Sequence, residues 1–211
     1  MITYPNSWKL VPGELFEVSD ELRQLMPAGD NQSGEIKFKK DPITNEELLY
    51  DVDEVSEIYR SYYKIDLPYV FDTIKTITPR VTRSFLVYAR HGSTVRKHFH
   101  PPVLDGDNNY IRNRHTVTFG VPCKITEPVT DRLFFSRTDQ DYFTSYKEHN
   151  TDWFSGFRWH KEIVDKATEI TDQIPFPNEN QYLLLDFDST CTVHWADHKT
   201  MNEYFFIVYE L

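Results

Sequence analysis

Apolar residues recur at helical spacing through the first third of the chain and at strand spacing through most of the remainder. Ser19-Asp20-Glu21-Leu22-Arg23-Gln24-Leu25-Met26 opens on cap-type residues and stops before Pro27, which predicts a short helix. Asn45 followed by Glu46-Glu47-Leu48-Leu49, with apolar residues returning at Val52, Val55, Ile58 and Tyr59, predicts a longer one. A third helix is expected from Pro68 to Thr76. From Ser84 the apolar period drops from about 3.6 to about 2, and β-branched and aromatic residues come in short runs. Strands are expected over Ser84 to His91, Ile111 to Val121 and Asp131 to Arg137. Aromatic and charged text then returns between Gln140 and Gln173, where Trp159 to Ile170 has the spacing of an amphipathic helix. Strand text resumes at Tyr182 to Phe187, Cys191 to Trp195 and Tyr204 to Tyr209.

Helices followed by about eight short, mainly antiparallel strands define an α+β chain that is mainly β. The arrangement that buries such strands is a double-sheet jelly roll, or double-stranded β-helix, covered by an N-terminal helical layer. The expectation is one domain over residues 1–211, with a helical layer at 1–80, jelly-roll strands at 81–139 and 181–211, and a partly helical insertion at 140–175. Trp153, Phe154, Phe157 and Trp159 in that insertion read as packing residues.

Charge narrows the partners. The 211 residues carry 23 Lys and Arg against 33 Asp and Glu, a net charge of −10. Such a surface repels a phosphate backbone on average, so nucleic acid is not an expected partner. The 13 Tyr, 15 Phe and 4 Trp supply enough buried area for a packed core. The apolar runs fall far short of the roughly 18 to 20 residues that cross a bilayer, and no secretory signal is visible, so no membrane partner is expected. Cys123 and Cys191 build neither a disulfide framework nor a zinc motif, and a reducing, cytoplasmic location is the default expectation.

The densest group of potential metal ligands is His91-Gly-Ser-Thr-Val-Arg-Lys-His98-Phe-His100-Pro-Pro. Residues two apart share one face of an extended chain, so His98 and His100 can point together into a barrel mouth. The two prolines end the strand there and put both imidazoles at a rim; the same text also reads as a solvated turn. Asp105 lies close enough in sequence to add a carboxylate, though Asp105-Gly-Asp-Asn-Asn is equally a turn. His194, between two late strands, can complete a set of donors on one face of an ion, or it is a satisfied core histidine. His198 reads as a loop residue, and His115, His149 and His160 have no partner at ligand spacing.

Four stretches resemble the aspartyl/asparaginyl β-hydroxylases, a branch of the Fe(II)/2-oxoglutarate oxygenases with a double-stranded β-helix fold. They are Val87 to Pro101 around His98 and His100, Tyr110 to Pro122 with Arg112, Arg114 and His115, Leu183 to Ser189 with His194 to Asp197, and Phe205 to Val208. Together they fall within residues 84–128 and 181–209, less than half the chain. The resemblance implies that either His98 or His100, with His194, holds Fe(II). It also implies Arg and His contacts to 2-oxoglutarate from the strand that carries Arg112, Arg114 and His115. The family's last strand offers an arginine to the distal carboxylate, where this chain has Glu203 or Tyr204, so the counter-charge falls to Arg114, Arg90 or Arg112. Strict alternation puts Arg112, Arg114 and Thr116 on one face and Ile111, His115, Val117 and Phe119 on the other.

The activity so implied is Fe(II)- and 2-oxoglutarate-dependent hydroxylation, with 2-oxoglutarate as a small-molecule cosubstrate and a protein or peptide side chain as a candidate substrate. No serine-nucleophile motif, P-loop or dinucleotide fingerprint competes with it. Two other readings stand beside it. A cupin-type metal protein would use all three histidines and no 2-oxoglutarate. A non-catalytic jelly-roll module would leave His98, His100 and His194 too far apart to share an ion.

Overall fold

The computed structural model describes residues 7–25, 32–36, 39–40, 47–100, 103–104, 110–112, 115–137, 153–190 and 192–211. The N-terminal part contributes β1 (Ser7–Pro12), α1 (Asp20–Leu25), β2 (Gln32–Ile36), β3 (Lys39–Lys40), β4 (Glu47–Leu48), β5 (Tyr50–Asp51), α2 (Val52–Ser61), α3 (Pro68–Ile77) and β6 (Arg80–Val81). The rest holds β7 (Arg83–Ala89), β8 (Thr94–His98), β9 (Val103–Leu104), β10 (Tyr110–Arg112), β11 (His115–Lys124) and β12 (Arg132–Arg137). It closes with α4 (Trp153–Lys166), β13 (Asp172–Pro175), β14 (Gln181–Asp188), β15 (Thr192–Asp197) and β16 (Glu203–Glu210).

Two antiparallel sheets carry the architecture. The larger has the order β1-β14-β11-β16-β7-β2 and the smaller β13-β12-β15-β8. From β7 onward the long strands go to the two sheets in turn, apart from β12 and β13, which are neighbours in the smaller one. The protein is therefore mainly β, with two facing antiparallel sheets as in a β-sandwich.

Alternation along each strand explains why both faces of the larger sheet are apolar. Leu86, Tyr88, Val117, Phe119, Leu184, Phe205 and Ile207 pack with Val55, Tyr59, Val70 and Ile74 of α2 and α3 and with Leu22 of α1. Residues one position away, Ala89, Leu183, Leu185, Phe187 and Phe206, turn to the other face and meet Phe135, Ile174 and Ala196 of the smaller sheet. A third cluster sets Ile163 and Ala167, on and just after α4, against Phe99 and Val193 on the outer side of the smaller sheet. Each large apolar side chain so covered stabilises the fold by about 1.5–3 kcal/mol.

The expected helices at 19–26 and 68–76 agree with α1 and α3 to within a residue or two. The helix expected from Asn45 starts later, at Val52, and residues 47–48 and 50–51 are short strands. Its start is set by Asp51, whose backbone N–H donates to the Glu54 carboxylate at 3.1 Å, a stronger start signal than Asn45. Nor is the first third only a helical layer, because β1 and β2 are the two edges of the larger sheet. In the insertion, α4 begins and ends earlier than expected, and residues 138–152 lie outside the described residues. No described helix is long and apolar enough to cross a membrane.

Candidate metal centre

His98 closes β8 and sits directly opposite His194 of the neighbouring strand β15. His100 follows just beyond β8, where its backbone N–H donates to the Ser189 carbonyl at 2.8 Å and pins the outgoing chain to the end of β14. Cross-strand pairing and this anchor bring three imidazoles together. Their ring centroids are 4.2 Å apart for His98 and His194, 5.1 Å for His100 and His194, and 5.2 Å for His98 and His100. One ring nitrogen from each lies within 4.8 Å of the other two.

Hydrogen bonds decide which nitrogens are left for an ion. His98 Nδ1 lies 2.8 Å from the Arg96 carbonyl and His194 Nδ1 lies 3.1 Å from the Thr192 carbonyl. A carbonyl oxygen only accepts, so each Nδ1 carries the proton and each Nε2 keeps a bare lone pair. His100 Nδ1 stands 3.0 Å from Glu210 Oε1 but is not aligned to make a hydrogen bond with it. Burial, and then the neighbouring imidazole of His100, push the His98 pKa down to about 4. Burial, and then His98 and His100, push His194 well below the usual histidine range. Neutral imidazoles with bare Nε2 atoms are what a divalent transition metal requires, so the donor set fits such an ion. Three imidazole nitrogens, from β8, β15 and the segment just beyond β8, also leave coordination positions open for other ligands.

The imidazoles border a cavity of about 100 Å³ between the two sheets. Phe85, Val87, Phe135, Leu185, Phe187 and Phe206 give it apolar walls, with the hydroxyls of Thr116 and Thr118 on its β11 side. Among the described residues lining it there is no Lys or Arg. A dianion such as 2-oxoglutarate would therefore find hydrogen-bonding groups but no counter-charge among them.

The candidates from sequence are distributed as follows. His98, His100 and His194 all join the cluster. Thr116 faces the cavity, and His115 turns to the opposite side, where Nε2 meets the Asp186 carboxylate; His115 is not a cavity residue. Arg90 is half-buried with its guanidinium 6.0 Å from the Tyr88 ring centroid and does not line the cavity. Arg114 and Asp105 lie outside the described residues, and of Arg112 only the strand position is described. His198 does follow β15 in a loop, yet it is 4% exposed and lines the cavity, its Nε2 donating to the Asn202 carbonyl at 2.5 Å. His160 of α4 stacks on Phe99 with centroids 4.4 Å apart, and its Nε2 lies 3.2 Å from the Phe99 carbonyl, a packing role.

Sequence reasoning missed Glu210 and Arg83. Glu210 is fully buried, and Arg83 reaches it with Nη2 at 2.5 Å from Oε1 and Nε at 3.1 Å from Oε2. A charged residue ending the apolar run of β16 was the available signal, since a carboxylate at an inward position needs a partner. In comparisons with known proteins, no family model matches the chain, and no curated protein is significantly similar to it.

Proposed function

We propose that this protein is a mononuclear non-haem Fe(II) oxygenase built on a double-stranded β-helix. The observation that carries the reading is the convergence of His98, His100 and His194 on one edge of an apolar cavity between two sheets. Long strands that alternate between the sheets from β7 to β16, apart from the β12–β13 pair, support the jelly-roll form, as does the position of the histidines at the end of β8, just beyond it, and on β15. When bound, the ion would supply the capacity to activate dioxygen. The chain's own residues do the rest. Nε2 of His98 and His194, together with His100, would hold the ion, and carbonyls of Arg96 and Thr192 fix two of the rings. The phenylalanine and valine walls would limit bulk water at the reacting atoms and offer an apolar surface for a C–H bond near the centre.

The resemblance to aspartyl/asparaginyl β-hydroxylases supports 2-oxoglutarate as cosubstrate. Its counter-charge would come from Arg112 or Arg114, the residues to which the resemblance gives that role. The described lining does not supply that charge, so the roles above are assigned without it. A second reading, a cupin-type metal protein that uses three histidines and no 2-oxoglutarate, is favoured by the same lining and by the inclusion of His100 in the cluster. Anaerobic Fe(II) titration with and without 2-oxoglutarate separates them. A weak visible charge-transfer band that needs both components, and is lost in His194→Ala, supports the 2-oxoglutarate form. Iron binding without the band, with substrate-dependent O₂ uptake, supports the cupin form. Absence of iron binding overturns both.

A further inference from the structure

Resting on the metal reading above, we infer that Glu210, held by Arg83, is a positioning residue that orients His100 toward the ion. The three imidazoles are not supported alike. His98 and His194 each donate Nδ1–H to the carbonyl two residues back on their own strands, Arg96 and Thr192, so their rings are set by local geometry. His100 lies beyond its strand and has no such carbonyl among the described residues. Its Nδ1 lies 3.0 Å from Oε1 of Glu210, at the far end of the sequence.

The inward face of β16 is otherwise uncharged, with Tyr204, Phe206 and Val208 preceding Glu210. A carboxylate in that position is costly to bury unless it is paired, and it is paired twice by the Arg83 guanidinium. Strand register produces this placement, because Glu210 stands directly opposite Arg83 across β16 and β7. The guanidinium is itself seated 5.0 Å from the Phe85 ring centroid. Glu210 is thus a fixed, charged acceptor beside the one ligand that has no backbone acceptor among the described residues. Donation of Nδ1–H to Oε1 would leave Nε2 bare and raise its basicity toward a metal.

The test is Co(II) affinity by calorimetric titration in a double-mutant cycle on the full chain. Glu210→Leu is expected to weaken Co(II) binding by about 10- to 100-fold in the wild-type background. In a His100→Ala background it is expected to have no further effect beyond about twofold, because its action passes through that ring. The Co(II) visible spectrum should change with Glu210→Leu and return toward wild type with Glu210→Gln, which keeps an acceptor. Equal weakening in both backgrounds, or none in either, overturns the assignment. Where Glu210→Leu does not fold, the paired replacement Arg83→Met with Glu210→Leu removes both charges at once, and the same cycle is run on it. Failure of the metal reading itself is distinguishable, since His194→Ala would then leave Co(II) binding unchanged.

Discussion

The lowered pKa values of His98, His160 and His194 make the metal-free protein sensitive to mild acid, and His98 permits a worked magnitude. In the unfolded chain His98 takes up a proton near its ordinary pKa of 6.5, whereas in the folded protein it does so only near 4. Between these values the unfolded state binds more protons than the folded state, so stability falls as pH falls through this window and is complete above it. A single group with those constants removes about 2 kcal/mol by about pH 5 and at most about 3 kcal/mol below about pH 4. His194 and His160, both lowered chiefly by burial, act with the same sign. Urea unfolding of the metal-free protein at about pH 7.5 and about pH 5 measures the sum, and His98→Gln removes one contributor. The variant should lose roughly 2 kcal/mol less than wild type over that interval. An acid-induced loss of the same size in both proteins would refute the account of a neutral, desolvated His98.

Two further predictions concern the scaffold. A Cβ at Gly120 would stand 3.1 Å from both Leu183 Cβ and Phe206 Cε1, so Gly120→Ala should overpack the space between the sheets and cost about 1–3 kcal/mol in chemical unfolding. Buried Asn202 accepts from the backbone N–H groups of Thr126 and Glu127 at 2.7 and 3.1 Å and donates to the Glu127 carbonyl at 3.0 Å. Asn202→Ala should therefore cost about 2–4 kcal/mol and selectively raise hydrogen exchange at residues 126–127.

Much of the fold was legible because strand alternation is a local property. The run Leu183-Leu184-Leu185 marks a strand buried on both faces, and Leu184 does meet the helices while Leu183 and Leu185 meet the smaller sheet. The boundary of α2 was misread because a run of good helix formers from Glu46 outweighed the cap at Asp51. The i, i+2 spacing of His98 and His100 was visible, but whether His194 would join them depends on the pairing of β8 with β15, which no local pattern fixes. The support of His100 was less visible still. Arg83 and Glu210 are 127 residues apart and meet only through the antiparallel register of β7 and β16. His198 looked like a loop histidine because it is one; its burial comes from contacts with Phe176 and Tyr204, which are remote from the turn's own composition.

The central claim is that three histidines form one metal centre. Equilibrium dialysis against Fe(II) under nitrogen, on the wild-type protein and on His98→Ala, His100→Ala and His194→Ala, tests it most directly. The account predicts one ion per chain in the wild type and at least about tenfold weaker binding in each variant. No bound ion in a folded wild-type protein, or a His100→Ala variant that binds as tightly as wild type, would contradict it.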